Sequence, residues 1–574
     1  MTDIAVEASG ITRIFNAEGK TVTALRNVSF QAATGQITML LGPDGAGKTT
    51  FIRLCAGLIS PTSGDLRVLG LDAVRNPEKI QASVSYMPQK FGLYEDLTVR
   101  ENMDLYADLY GIDRKDREGR FQDLLAMTDM SRFTERRAGK LSGGMKQKLA
   151  LSCTLLSNPR LLLLDEPCVG VDPLSRRDLW KIITAMVARN RMTVIVSTAY
   201  LDETAFAGRV YLFNEGEILG NLTPEELREK ARGKTFSLAP GSIHPRIVQS
   251  RLIERADLSD AVPLSGTISI VSRENGVPGD LSRAVPREPV AEDGFMCLFR
   301  EKAGTGLSFS EKIPEDITGY PENKENIIEV RDLLKTFGSF TAVNHTSFTV
   351  RKGEIFGLLG PNGAGKTTTF RMLCGLIPAS GGVLRVAGYD LRTARDEARR
   401  RIGYVAQKFS LYQDLTVREN LEFFGRVYGL HGKRLRQQMA KALEEFSLGE
   451  VIGKRSGELP GGFKQRLSMA AGIMHEPEIL FLDEPTSGID PMARRVFWHR
   501  ITSLAAAGTT IVITTHFLEE AEYCNRIMIQ DAGTMIALGT PGEVRASAGE
   551  TPGHPLTMEQ VFINIVMASR EKNR

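Results

Sequence analysis

Residues 42–49 read Gly-Pro-Asp-Gly-Ala-Gly-Lys-Thr, and residues 360–367 read Gly-Pro-Asn-Gly-Ala-Gly-Lys-Thr. Both fit the pattern G-x-x-x-x-G-K-[ST]. Its glycines let backbone amides curl around phosphate oxygens, its lysine reaches the terminal phosphates, and its hydroxyl binds magnesium. The candidate nucleotide-binding residues are Gly42, Pro43, Asp44, Gly45, Ala46, Gly47, Lys48, Thr49 and Thr50 in the first copy. In the second they are Gly360, Pro361, Asn362, Gly363, Ala364, Gly365, Lys366, Thr367 and Thr368. Each loop follows an apolar, strand-like run (37–41 and 355–359) and leads into a helix-like segment, an order that aims a helix N-terminus at the phosphates. The sequence predicts an ATP-binding protein.

The two loops start 318 positions apart, and the same offset relates Gln89 to Gln407, Leu141 to Leu459, Asp165 to Asp483 and Asp172 to Asp490. One deletion then places Ala199 opposite His516. A repeat of that length is a duplicated domain. Within each copy, apolar runs alternate with helix-length segments, which predicts an α/β fold with a largely parallel sheet. The expected layout is a first nucleotide-binding domain over 1–235, a small α+β appendage over 236–302 and a linker over 303–325. A second nucleotide-binding domain over 326–545 and a helical tail over 546–574 complete it. The appendage is proline- and glycine-rich, and the tail carries Met558, Val561, Phe562, Ile565 and Val566 at helical spacing, a stripe expected to pack on the second domain.

Bulk properties narrow the class. The 574 residues exceed one core, and 42% hydrophobic with 25% charged residues is ordinary for a globular chain. A net charge of +3 gives no electrostatic argument for a nucleic-acid partner, and none is expected. Six scattered cysteines without a C-x-x-C pair suggest reduced thiols rather than a disulfide or zinc framework. The N-terminus lacks a secretory pattern, and no apolar run approaches the roughly 18 to 20 residues that span a bilayer, so a soluble chain is expected.

Each half also carries an apolar strand ending in two carboxylates, Asp165-Glu166 and Asp483-Glu484. The aspartate can hold magnesium with the loop threonine, and the glutamate can orient or deprotonate the water that attacks the γ-phosphate. Leu141-Ser-Gly-Gly-Met-Lys-Gln147 and Leu459-Pro-Gly-Gly-Phe-Lys-Gln465 lie between loop and carboxylates.

With these motifs in this order, the chain resembles a tandem ATP-binding cassette protein, the motifs running from about residue 4 to 220 and from 326 to 540. The resemblance implies ATP and Mg²⁺ as ligands. It assigns Thr49, Gln89, Asp165, Thr367, Gln407 and Asp483 to the metal, Phe15 and Phe337 to adenine, and Asp172 and Asp490 to the loop after the carboxylates. His516, in Thr514-Thr515-His516-Phe517, takes the position of the histidine that bonds the γ-phosphate. In that family the phosphate loop of one cassette meets the signature of the other. Ser142, Gly143 and Gly144 would then complete the second site, and Gly461 and Gly462 the first.

The departures from the family pattern are informative. Ala199 stands where the first cassette should have its histidine, and Pro460 where the second signature should have serine; crossed pairing assigns both losses to one site. Asp44 in place of asparagine and Cys168-Val169 in place of Thr-Ser fall in the same copy. The second site retains Lys366, Gln407, Glu484 and His516, receives Ser142, and is expected to hydrolyse ATP. The first, with Glu166, is expected to retain it. The resemblance further implies an exporter's ATPase subunit, lying peripherally on the cytoplasmic face of the inner membrane. It would work with two small integral membrane subunits of ABC-2 type and energise drug or cation efflux. Leu93-Tyr94-Glu95-Asp96-Leu97-Thr98-Val99-Arg100-Glu101-Asn102 and its repeat at 411–420 carry this narrower likeness. The alternative is a soluble or ribosome-associated tandem cassette protein acting in translation. The broken signature and a proline-rich rather than charged helical linker speak against it.

Overall fold

The structure is a computed structural model and describes residues 3–17, 20–89, 92–303, 313, 317–320, 325–551 and 555–572. The chain divides into two units: residues 1–233 with 288–305, and residues 234–287 with 306–574. Most of the linker expected over 303–325 lies outside the described residues.

The first unit contains a four-stranded antiparallel sheet and a six-stranded, mostly parallel one. The larger sheet runs Glu217–Leu222, Arg209–Asn214, Ile37–Leu41, Thr193–Ser197, Leu161–Asp165, Val84–Met87. Three of its central strands, Ile37–Leu41, Leu161–Asp165 and Thr193–Ser197, are buried at every position. This is why they read as unbroken apolar runs rather than alternating ones. Phe30, Phe51, Tyr211 and Phe213 join both sheets and the helix Lys48–Cys55 into one core. Helices Val99–Leu109, Arg114–Met127 and Gly143–Leu155 pack on one another as the helical part of the cassette.

The second unit repeats this plan. Its six strands run Ile402–Val405, Ile479–Asp483, Thr510–Thr514, Ile355–Leu359, Arg526–Asp531, Thr534–Gly539, and Phe348, Phe356, Phe370 and Phe481 fill the equivalent core. The stretch after each glutamine loop is an N-terminal helix signal. Thr98 and Glu101 form a reciprocal cap, as do Thr416 and Glu419. The buried Asn102 side chain donates to the carbonyls of Tyr94 and Thr98, fastening the turn to the helix.

The appendage is divided between the two units. Helix Ala291–Ala303 stays with the first cassette, where Gly294 lies so close to the carbonyl of Leu227 that a Cβ would stand 1.7 Å from it. Residues 234–287 instead form an antiparallel sheet, ordered Leu258–Leu264, Thr267–Ser272, Thr235–Leu238, Val285–Pro286, with helix Pro245–Leu252, and pack on the second cassette. Sequence order suggested attachment to the cassette that precedes them; polar complementarity to the second explains the docking observed. Arg495 makes a two-pronged ion pair with Asp260, both nearly inaccessible, and Glu254 accepts from His499 Nε2 at 2.9 Å. Arg246, fully buried, donates to the Tyr523 carbonyl and to Asn525 Oδ1. The tail helix Met558–Lys572 buries Met558, Val561, Phe562 and Val566 against the same unit, and Arg570 pairs with Asp531.

Removing one partner from a buried ion pair costs about 3 to 5 kcal/mol. Asp260→Ala is expected to destabilise the second unit by that order in a denaturant titration. An Asp260→Leu, Arg495→Met pair should recover most of the loss.

Candidate functional site

The parallel pairing of strands Ile37–Leu41, Thr193–Ser197 and Leu161–Asp165 brings the phosphate loop, the segment around Ala199 and the Asp165-Glu166 pair to one edge of the first cassette. The same pairing of Ile355–Leu359, Thr510–Thr514 and Ile479–Asp483 does so for His516 and Asp483-Glu484 in the second. The carboxyl ends of parallel strands are where α/β sheets bind ligands.

The phosphate loops are held by glycines no other residue could replace. Gly360, at φ +155°, would place a Cβ 2.2 Å from the carbonyl of Gln530, and Gly365, at φ +99°, one 2.4 Å from that of Ala342. Lys366 Nζ donates to the carbonyls of Gly360 (2.5 Å) and Pro361 (3.0 Å), which pins the ammonium at the mouth of its own loop. Lys48 does the same with Gly42 (2.6 Å) and Pro43 (3.0 Å). Helices Lys48–Cys55 and Lys366–Leu373 start from these lysines, adding the positive end of a helix to the cradle.

Thr49 Oγ1 lies 3.0 Å from Asp165 Oδ1, two hard oxygens from different elements that fit a small divalent cation. Ser197 also donates to Asp165, at 2.7 Å, and Thr514 to Asp483 at the same distance. These two hydroxyls were not singled out in the sequence; the signal was their repeat two residues before Ala199 and His516. Gln89 reaches Glu166 at 2.5 Å, and Gln407 likewise donates to Glu484, so both amides meet the glutamates.

Glu166 and Glu484 sit in the left-handed region, at φ 51° and 48°. That costs of order 1–3 kcal/mol for such a residue and persists only where neighbours enforce it. Glu484 N is held by the carbonyl of Thr514 (3.1 Å) and by its hydroxyl (2.9 Å).

The two glutamates then part company. His516 Nε2 lies 2.6 Å from Glu484 Oε1, both groups buried. Burial alone would raise the Glu484 carboxyl, but His516 and Lys366 outweigh it and leave it below its ordinary value. Glu166 has Ala199 where that imidazole would be. Burial pushes its carboxyl up to about 7; Lys48 opposes the rise, while the carboxylates of Asp44 and Asp165 add to it.

The signatures differ in kind as well. Ser142 caps helix Gly143–Leu155, its hydroxyl accepting from Met145 N at 3.3 Å. Pro460 occupies the same place before Gly461–Ile473 with no side-chain cap and no N–H. Gly144 lies so close to Ser175 that a Cβ would meet its Oγ at 2.4 Å, whereas Gly461 and Gly462 have open space. Asp172 and Asp490 cap the helices that follow them. Phe15 and Phe337 are exposed, with Arg13 and Lys335 over their rings, at the end of the strand pairs whose Ala24 and Ala342 carbonyls crowd Gly47 and Gly365.

A family model described as "ABC transporter" matches residues 25–169 and 343–487. The chain belongs to the ATP-binding cassette transporter family. It is 44% identical over 574 residues, 99% of this chain and 98% of the relative, to the probable multidrug ABC transporter ATP-binding protein YbhF of Escherichia coli (strain K12). Other relatives match part of it. The Nod factor export ATP-binding protein I of Burkholderia lata is 46% identical over 37% of this chain and 71% of its own, and the linearmycin resistance ATP-binding protein LnrL of Bacillus subtilis (strain 168) 41% over 42% and 79%. A solved archaeal ribosome recycling factor, in complex with a ribosomal stalk protein, covers 96% of this chain and 95% of its own at TM-score 0.58 and 18% identity, a likeness of fold alone. The two cassettes are ATPase domains that bind ATP. Among the described residues, no helix is long and apolar enough to cross a membrane.

Because each cassette carries one loop, Gly360→Ala is expected to lower the stoichiometry of a bound fluorescent ATP analogue from about two per chain to about one. Retention of both would mean that the loop tolerates the clash with Gln530.

Proposed function

We propose that this chain is the ATP-hydrolysing subunit of an exporter whose substrate path lies in separate membrane subunits of ABC-2 type, and that its two ATP sites are unequal. The names of the multidrug, Nod-factor export and linearmycin-resistance relatives support export, with drug-like molecules as the substrate class. Peripheral placement on the cytoplasmic face of the membrane follows from that role.

The observation that carries the inequality is the buried contact between Glu484 and His516, set against Glu166 with Ala199. In the second cassette Lys366 offers its charge to the terminal phosphates. Glu484, kept as a carboxylate, orients the attacking water and accepts its proton, and His516 bonds the γ-phosphate oxygens. Magnesium, held by Thr367, Asp483 and Gln407 there and by Thr49, Asp165 and Gln89 in the first cassette, would screen the charge on the β- and γ-phosphates. Phe15 and Phe337 present exposed rings for adenine. The family's crossed arrangement adds Ser142 to the competent site and Pro460, without hydroxyl or N–H, to the other. The first cassette keeps Lys48, Thr49 and Asp165, which suffice to hold nucleotide.

A positioned general base contributes about a hundred- to ten-thousandfold in rate. In the chain assembled with its membrane subunits, Glu484→Gln should therefore lower ATP turnover by at least about a hundredfold, while Glu166→Gln leaves most of it. Equal losses would refute the asymmetry. Co-purification with two small hydrophobic proteins supports the exporter; sedimentation with ribosomes would favour a role in translation instead.

A further inference from the structure

Glu520 is a carboxylate that the chemistry above does not use, and it is 1% exposed. It lies in the two-turn 3₁₀ segment Leu518–Tyr523 that follows the His516 loop. Burying a carboxylate is costly unless hydrogen bonds replace water. Arg494 comes no nearer than 3.9 Å. Its hydrogen bonds come from two buried threonines, both to the same oxygen, Oε2, with the Arg494 guanidinium and the Trp498 indole also beside the carboxyl. Thr515 Oγ1 donates at 2.5 Å and Thr486 Oγ1 at 2.9 Å.

Those threonines belong to the two loops that carry the reacting groups. Thr515 precedes His516, and its hydroxyl also accepts from Phe517 N at 3.0 Å, closing a turn around the histidine. Thr486 stands two residues after Glu484, in the turn that leads on to Asp490, where Ser487 N donates to the Glu484 carbonyl and Ile489 N to that of Thr486. A single buried oxygen thus joins the loop of the imidazole to the loop of the carboxylate. The first cassette offers a natural comparison. Glu203 there accepts from Thr198 at 2.5 Å, and Thr198 from Tyr200 N at 3.0 Å. The counterpart of Thr486 is the buried Cys168, whose thiol is a weak donor. The tie has lost its hydroxyl in the same cassette that lost its imidazole.

We infer that Glu520 is a positioning residue of the second site: by clamping Thr486 and Thr515 it sets the 2.6 Å approach of His516 to Glu484. The inference rests on the catalytic reading of that pair. It acts on turnover and not on nucleotide binding, because Lys366 and the phosphate loop are held by other contacts.

The test uses the full chain assembled with its membrane subunits. It compares Thr515→Val, Thr515→Ser, Glu520→Leu and the Glu520→Leu, Thr515→Val pair, with Glu484→Gln and His516→Ala as references. Misplacing a reacting group by about 1 Å costs up to about a hundredfold in rate. Thr515→Val is expected to lower kcat by between ten- and a hundredfold by that measure. KM for ATP and the unfolding midpoint should not change, and Thr515→Ser, which restores the hydroxyl, should recover kcat. The double variant should lose no more than Glu520→Leu alone, the mark of two residues in one linkage. Amide hydrogen exchange at Phe517 should quicken in Thr515→Val and in Glu520→Leu. Unchanged kcat in Thr515→Val, additive losses in the pair, or a fall in kcat matched by a fall in unfolding midpoint would each overturn the assignment. Should Glu520→Leu fail to fold, the Val and Ser variants of Thr515 decide alone. Full turnover in Glu484→Gln and His516→Ala would refute the catalytic reading instead, with exchange at Phe517 still reporting the clamp.

Discussion

Parallel pairing of Ile355–Leu359 with Thr510–Thr514, and of Thr510–Thr514 with Ile479–Asp483, brings together three segments far apart in the chain. Every position of these strands is buried. Burial of each large apolar side chain contributes on the order of 1.5–3 kcal/mol, enough across a sheet to hold one left-handed glutamate at its rim. Register then does the rest. With Asp483 beside Thr514, the hydroxyl of Thr514 meets both the Asp483 carboxylate and the Glu484 amide. His516 follows two residues later.

The same frame exists in the first cassette, so the difference between the sites is chemical rather than architectural. Glu166 and Glu484 share a backbone conformation, a glutamine partner and a lysine nearby. What separates them is the sign of the surrounding charge. The second glutamate faces an imidazole; the first has alanine at the equivalent position, 199, and an additional carboxylate at Asp44. A low-dielectric pocket magnifies both effects, so two ordinary substitutions move the two carboxyls in opposite directions.

Much of this was legible in the sequence because phosphate chemistry constrains the backbone itself. Glycines at 42, 47, 360 and 365 are required by φ and by neighbouring carbonyls, and a required residue leaves a pattern. The apolar strands and the terminal aspartates were equally plain, and Ala199 and Pro460 stood out as breaks in a repeat. The hydroxyls of Ser197, Thr514 and Thr515 and the carboxylate of Glu520 were not legible. Their importance lies in contacts across strands, and small polar residues in a chain of this composition carry no periodic mark. The docking of residues 234–287 was hidden for a related reason. Asp260, Glu254 and Arg246 look like surface charges until the partner surface is known.

That docking changes what counts as half of this molecule. A cut in the 303–325 segment, where the repeat suggests one, would strip Arg495 of Asp260, His499 of Glu254 and the Tyr523 carbonyl of Arg246. The compact unit of the second cassette thus begins before that cassette's first strand. It includes residues 234–287, sequence from before the helix that closes the first cassette, so the two units interleave along the chain. A gene split, or an exchange with a relative that matches only part of the chain, would have to follow that interleaving and not the repeat.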